Sequence, residues 1–162
     1  MASHSHTLYT PEERLRRDRS KWTLVQGILA PVQFVVFLIS LYLVLRFLYS
    51  GEGEYAANTS IVIKTLFLYT IMITGSIWEK EVFGRYLFAP AFYWEDVFSM
   101  LVLLLHTLYL IALVFSFLEA RQLMALALAA YLAYIINAAQ FLWKLRQARL
   151  QESKQPSRGV MA

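Results

Sequence analysis

Cysteine is absent from this chain of 162 residues, which excludes a structural disulfide, a thiolate nucleophile, a cysteine-ligated zinc and an iron–sulfur cluster. Charge is scarce too: 16% of residues are Asp, Glu, Lys or Arg, whereas 59% are hydrophobic. The alternation that marks half-buried strands is missing, and so is any internal repeat of the kind that builds the two halves of a transporter. No apolar segment of signal-peptide type precedes Trp22, so the first hydrophobic stretch is expected to act as the insertion signal and to remain in the mature protein.

What the chain does have is long apolar runs, the profile of a membrane protein. Residues 22–45 carry no charge, residues 61–78 carry only Lys64, residues 97–118 contain only His106 as an ionisable group apart from tyrosine, and residues 122–142 are again uncharged. A helix needs ~20 such residues to cross the hydrocarbon. In lipid every backbone polar group must be satisfied within its segment, which favours helices. The expected fold class is therefore an all-α membrane protein with four transmembrane helices in an antiparallel bundle. Lys and Arg gather before the first run (Arg14, Arg16, Arg17, Arg19, Lys21), in the middle connector (Lys80, Arg85) and after the last run (Lys144, Arg146, Arg149, Lys154, Arg158), which places both termini in the cytoplasm. The net charge of +4 is then a topology signal, and no nucleic-acid partner is expected.

Three regions follow: a polar tail with a short surface helix at residues 1–21, the transmembrane domain at 22–143 and a basic cytoplasmic tail at 144–162. Residues 1–9, with their Ser-His-Ser-His run, are expected to be disordered. Thr10 followed by Pro11 reads as a helix start, with an amphipathic helix up to Ser20. Residues 51–54, Gly-Glu-Gly-Glu, read as an outer turn, and the short link near Glu119 makes the third and fourth spans neighbours.

Helical spacing gathers scattered polar residues into faces. Gln26, Gln33 and Ser40 recur every seven residues and form one seam, the usual mark of interhelical hydrogen bonding. Glu95, Ser99, His106 and Tyr109 lie within ~60° of one another on the third span, and Tyr134, Asn137 and Phe141, with Gln140 nearby, share a face of the fourth. Lys64 and Arg46 are expected to snorkel to the outer interface. His106 lies about 14 Å into its span, where an imidazole serves either packing or an axial contact to a metal in a macrocycle.

The densest chemistry is at residues 78–96. Glu79 follows an uncharged run at a helix C-terminus, where the dipole repels it, so it needs a partner or a proton. Lys80 and Arg85 are the expected partners. Glu95 and Asp96 open the third span, where capping is the ordinary role of an acid. Glu81 is expected to be solvated. Two carboxyls meeting among Trp78, Phe83, Tyr86, Phe88, Phe92, Tyr93 and Trp94 form an acid and base pair beside a flat aromatic surface, although an interfacial aromatic girdle looks similar.

The segments YTPEERLRRD (9–18), WTLVQGILAPVQF (22–34), GSIWEKEVFGRYLFAPAFYWEDVFSM (75–100), LHT (105–107) and INAAQFLWKLRQARL (136–150) closely resemble the 2-vinyl bacteriochlorophyllide hydratase family. That resemblance implies a hydro-lyase of bacteriochlorophyll biosynthesis in a bacterial inner membrane, cytoplasmic or photosynthetic, adding water to the C3 vinyl group of a chlorophyllide-type pigment to give a 1-hydroxyethyl group. Such chemistry needs a neutral acid to protonate the terminal carbon and a carboxylate to aim water and stabilise the cation. The expected catalytic residues are Glu79 as acid and Glu95 as base, with Asp96 the alternate for either. His106 is expected at the substrate's magnesium or a ring carbonyl, Lys80 or Arg85 at the free propionate, and Trp78, Tyr109, Asn137 and Gln140 along the pigment. No separate cofactor and no metal of the protein's own is called for, because hydration is redox-neutral and magnesium arrives with the substrate. The tetrapyrrole, the bilayer and other pigment-biosynthesis enzymes are the expected partners. A non-enzymatic carrier or assembly factor for magnesium tetrapyrroles is the competing reading.

Overall fold

A computed structural model of the chain describes residues 7–154, all helical apart from short connections. The histidine-bearing run at residues 3–6 and the end of the basic tail at 155–162 lie outside the described residues.

The first helix, α1 (Pro11–Arg19), starts as its sequence dictates. Thr10 accepts from the Glu13 backbone while the Glu13 carboxylate accepts from the Thr10 N–H, and proline occupies the first turn, so both orphan donors at the start are satisfied. Ser20 ends α1 and caps the next helix through its side chain. Four helices are long and apolar enough to cross a membrane: α2 (Lys21–Ser50), α3 (Glu54–Phe83), α4 (Tyr93–Phe115) and α5 (Ala120–Lys154). The turn from α2 to α3 uses Gly51 and Gly53 at φ 75° and 86°, left-handed conformations that a side chain would strain.

Helices α2 and α3 pack along their length, and later residues of α2 meet earlier ones of α3. Ser20 Oγ donates to Glu81 Oε2 (2.5 Å), Trp78 Nε1 to Thr23 Oγ1 (2.9 Å) and Gln26 Nε2 to Thr74 Oγ1 (2.6 Å), and Ser40 Oγ meets Ser60 Oγ (2.7 Å). Gln26 and Ser40 thus serve as interhelical glue, and Gly75 makes room for the first of them: a Cβ there would stand 3.3 Å from Gln26 Oε1. Helices α4 and α5 are tied by Ser99, whose hydroxyl donates to Asn137 Oδ1 (3.1 Å), and by Asn137 Nδ2, which donates to the Glu95 carbonyl (2.8 Å). The main core of Phe37, Val44, Ile61, Leu68, Val102, Tyr109, Met124 and Tyr131 fills the bundle, and a second cluster around Tyr9, Val82, Phe92 and Ala148 fills one end.

Two expectations are corrected here. Lys64 does not snorkel; it is fully buried, because α3 begins at Glu54 and not near Ile61, which puts Lys64 ~15 Å along its helix instead of one turn. Disorder does not extend to Tyr9 either. Its ring is buried and stacks on Phe83 (centroids 5.8 Å apart). Helix α5 continues to Lys154 without a break at the boundary drawn at Lys144.

Candidate functional site

The end of the bundle that carries α1 gathers the start of α2, the end of α3, the start of α4 and the second half of α5. Here α3 stops at Gly84, whose left-handed backbone (φ 82°) donates to the Lys80 carbonyl, and residues 85–92 turn the chain into α4. Phe88 also adopts a left-handed backbone, φ 59°, a conformation that in a residue bearing a side chain survives only where its surroundings hold it. Its ring packs against Tyr93 (5.7 Å), and its N–H points inward.

What it points at is the centre of the site. The Phe88 N–H donates to Asp96 Oδ2 (2.7 Å) and the Ala89 N–H to Glu79 Oε2 (3.3 Å). Donors on two consecutive residues thus hold the carboxyls side by side, near enough to interact with each other. They are 4% and 3% exposed, so water does not screen one from the other. Two carboxyl groups held together out of water resist being ionised at the same time. One connector therefore supplies an N–H to each member of the pair. Around it stand the aromatic rings of the second core: Phe92 packs edge-on to Trp78 (5.7 Å) and stacked on Phe141 (5.7 Å), Phe83 lies against both Trp78 and Phe92, and Tyr9 closes over Phe83 and Phe92.

The pair expected from sequence, Glu79 with Glu95, is not the one the helices bring together. Consecutive residues diverge by ~100° around a helix, so Asp96 turns to α3 and Glu95 turns to α5. There Lys144 Nζ donates to Glu95 Oε2 at 2.7 Å. Glu95, Lys144, Trp143, Gln147 and Gln151, with Leu8 from the N-terminal segment, line an open cavity of about 260 Å³. Lys144 also lies over the Phe92 ring (5.4 Å), so the cavity and the carboxyl pair flank the same aromatic wall. Lys144 was not among the residues singled out from sequence. Its one signal was its place, seven residues after Asn137 on the same side of α5.

The partners expected for Glu79 are elsewhere. Lys80 Nζ donates to the Gly84 carbonyl (3.0 Å) and lies over Tyr86, and Arg85 is exposed with no ion pair among the described residues. Glu81 is exposed, as expected. Trp78 is on the site's wall. Asn137 holds α4 to α5, and Gln140 is half-buried with its Oε1 unpartnered.

His106 and Tyr109 lie away from this end. His106 is fully buried; Nδ1 bonds the Val102 carbonyl (2.8 Å), which makes it the protonated nitrogen, and Nε2 faces Lys64 Nζ at 3.2 Å. In this structure both ring nitrogens are engaged within the bundle, at a distance from the end that holds Glu79 and Asp96. Rings of Tyr134, Tyr131 and Phe37 lie 3.9, 5.2 and 5.9 Å from the same amine. Tyr109 is buried and donates to Asn58 Oδ1 (2.5 Å), a packing contact between α4 and α3.

The N-terminal strap is held by charge. Arg17 Nη1 meets Glu152 Oε1 at 2.9 Å, Arg14 approaches the same oxygen at 3.4 Å, and the Leu8 N–H donates to Gln151 Oε1 (3.3 Å). Burial pushes the Tyr9 hydroxyl up to about 12, against the pull of the Arg17 guanidinium above its ring.

With this geometry in view, comparison with known proteins is informative. The model of the 2-vinyl bacteriochlorophyllide hydratase family matches residues 9–147. A 2-vinyl bacteriochlorophyllide hydratase of Rhodobacter capsulatus is 66% identical over 148 residues, covering 91% of this chain and 86% of the relative. One of Cereibacter sphaeroides is 64% identical over 149 residues, covering 92% of each. No solved structure matches the chain.

Proposed function

The chain belongs to the 2-vinyl bacteriochlorophyllide hydratase family, and from that premise we propose that Glu79 and Asp96 together carry the proton its reaction needs. The protein is a hydro-lyase that adds water to the vinyl group of a chlorophyllide-type pigment in bacteriochlorophyll biosynthesis. Hydration in this direction breaks the vinyl π bond, forms a C–H bond at the terminal carbon and leaves a cation beside the ring, which water then captures.

The observation that carries the assignment is the placing of the buried Glu79 and Asp96 carboxyls side by side, each holding an N–H of consecutive connector residues. A carboxyl pair that shares one proton is acid and base at once. It gives the proton to the vinyl terminus, and the positive charge that forms beside the ring offsets the second negative charge this leaves on the pair. Water adds to that cation, and the proton it sheds returns to the pair, so the enzyme ends as it began. Phe88 and Ala89 keep the two carboxyls aligned through the cycle, a positional effect that costs no reorganisation at the moment of reaction. Trp78, Phe83 and Phe141 are the partly buried rings around the core ring of Phe92, and they are the apolar surface this end offers the macrocycle. A cavity of about 260 Å³ is below the ~300–1,000 Å³ of pockets that enclose a drug-sized ligand, so the pigment enters edge-first and keeps much of its ring toward lipid. Gln140, with an unpartnered carbonyl near this end, is suited to a polar ring substituent.

The four spans form an antiparallel bundle with both termini in the cytoplasm, in the inner membrane. Supporting this are the reversed order of the α2–α3 contacts and the basic residues of α1, the middle connector and α5, which all fall at the carboxyl-pair end.

The test is expression in membranes of a host without the pathway, followed by feeding of chlorophyllide and chromatography with mass detection. The expected product is pigment heavier by one water. Pigment retained on the protein but recovered unchanged would instead mark a carrier.

A further inference from the structure

We infer that Lys144, paired with Glu95 in the structure, is the receptor for the free carboxylate of the pigment and so makes the enzyme selective for the unesterified acid. The inference rests on the hydratase reading above and specifies which cation of this end the substrate uses. Lys144 is the cation that lines the cavity, and it does so with the amides of Gln147 and Gln151, neutral donors suited to a second carboxylate oxygen. Both members of the ion pair line the cavity, and the Lys144 side chain is the more exposed of the two, 27% against 9% for Glu95.

Position agrees with the chemistry. Lys144 lies over the ring of Phe92, the same ring that packs on Trp78 and Phe141 beside the carboxyl pair. The pigment carries its vinyl group and its free propionate on neighbouring rings. Seated at this end of the bundle, it brings the vinyl toward Glu79 and Asp96 and the propionate to Lys144. Lys80 and Arg85 do not fit this arrangement, since Lys80 is turned onto its own helix end and over Tyr86, and Arg85 is exposed. Before substrate arrives, Glu95 occupies the ammonium and keeps it oriented, and an incoming carboxylate of the same charge adds to or replaces that contact.

The experiment compares the free acid and the methyl ester of the pigment on the full chain in nanodiscs of zwitterionic lipid, reading the ratio of kcat/KM for the two forms so that a general loss of rate cancels. Wild type is expected to favour the acid by roughly tenfold or more, the worth of one charged hydrogen bond, with the difference in KM. Lys144→Arg keeps the preference, and Lys144→Met removes it. Adding anionic lipid leaves the wild-type ratio unchanged. An ester accepted as well as the acid by wild type overturns the inference without any variant, and so does a preference that survives Lys144→Met or one that anionic lipid abolishes, which would assign Lys144 to a headgroup. Failure of wild type to hydrate either form would instead sink the hydratase reading.

Discussion

Helices α3 and α4 bury ionisable side chains against each other twice, once at the end that carries α1 and once at mid-bundle, and the two places are built differently. Glu79 and Asp96 meet beside a connector that lends each a backbone N–H, one residue away from a cation-lined cavity. Lys64 and His106 meet fully buried beside the rings of Tyr134, Tyr131 and Phe37, with a single contact between the two side chains. The first has a backbone donor for each carboxyl, and the residue next to Asp96 lines a cavity. The second has no backbone partner for the amine among the described residues. Burial of a charge-bearing group thus does not by itself mark a reactive site; what distinguishes it is a route for substrate and a second set of groups that fixes protonation and aim.

The sharpest way to break this comparison is substitution at both places. Glu79→Gln and Asp96→Asn should each lower turnover by roughly 10²–10⁴-fold, the range for a proton-transfer group, with pigment still retained. Lys64→Met should leave turnover within a few-fold of wild type. Equal losses at the two places would erase the distinction. Activity of wild type should also trace a bell against pH, falling in acid as the pair takes a second proton and in alkali as it loses the shared one; a monotonic profile would remove the pair from the chemistry.

A smaller effect is expected in stability. Removing one member of the mid-bundle pair leaves the other buried without its partner, at a cost of about 1–3 kcal/mol, whereas removing both is less harmful than the sum. Unfolding of Lys64→Met, His106→Leu and the double variant in detergent measures this coupling, and simple additivity would mean the two do not depend on each other. Smallest is the alkaline response of the strap. The Tyr9 hydroxyl is raised in the fold to about 12 from an ordinary 10, so the native state keeps its proton longer and the stability this provides is full below pH 10 and is lost as pH rises toward 12. Tyr9→Phe should remove that alkaline loss while leaving the packing on Phe83.

Much of this fold was legible because apolar runs and end signals are local. The cap at Thr10 with Pro11, the Gly51–Gly53 turn, and the inward face of Glu95, Ser99, His106 and Tyr109 could all be read from spacing. Depth could not be read for Lys64, because Asn58, Thr59 and Ser60 look like a loop but form the first turns of α3, where Ser60 is satisfied by Ser40 and the Ala57 carbonyl. The site was legible as a neighbourhood and not as a pairing. A single step along α4 decides whether a carboxylate faces α3 or α5, and the connector that selects Asp96 depends on the left-handed Phe88, which no residue preference announces. The anchoring of Tyr9 and the cavity beside Lys144 arise from contacts between chain ends more than 130 residues apart, beyond the reach of periodicity.

The claim on which the account stands is that a single proton lies between Glu79 and Asp96. Infrared difference spectroscopy of the protein in lipid at neutral pH, wild type against Glu79→Gln and Asp96→Asn, reads it directly. The account predicts a protonated-carboxyl band in wild type that disappears in each single variant. A wild-type spectrum without that band, or a band that persists in both variants, would contradict it.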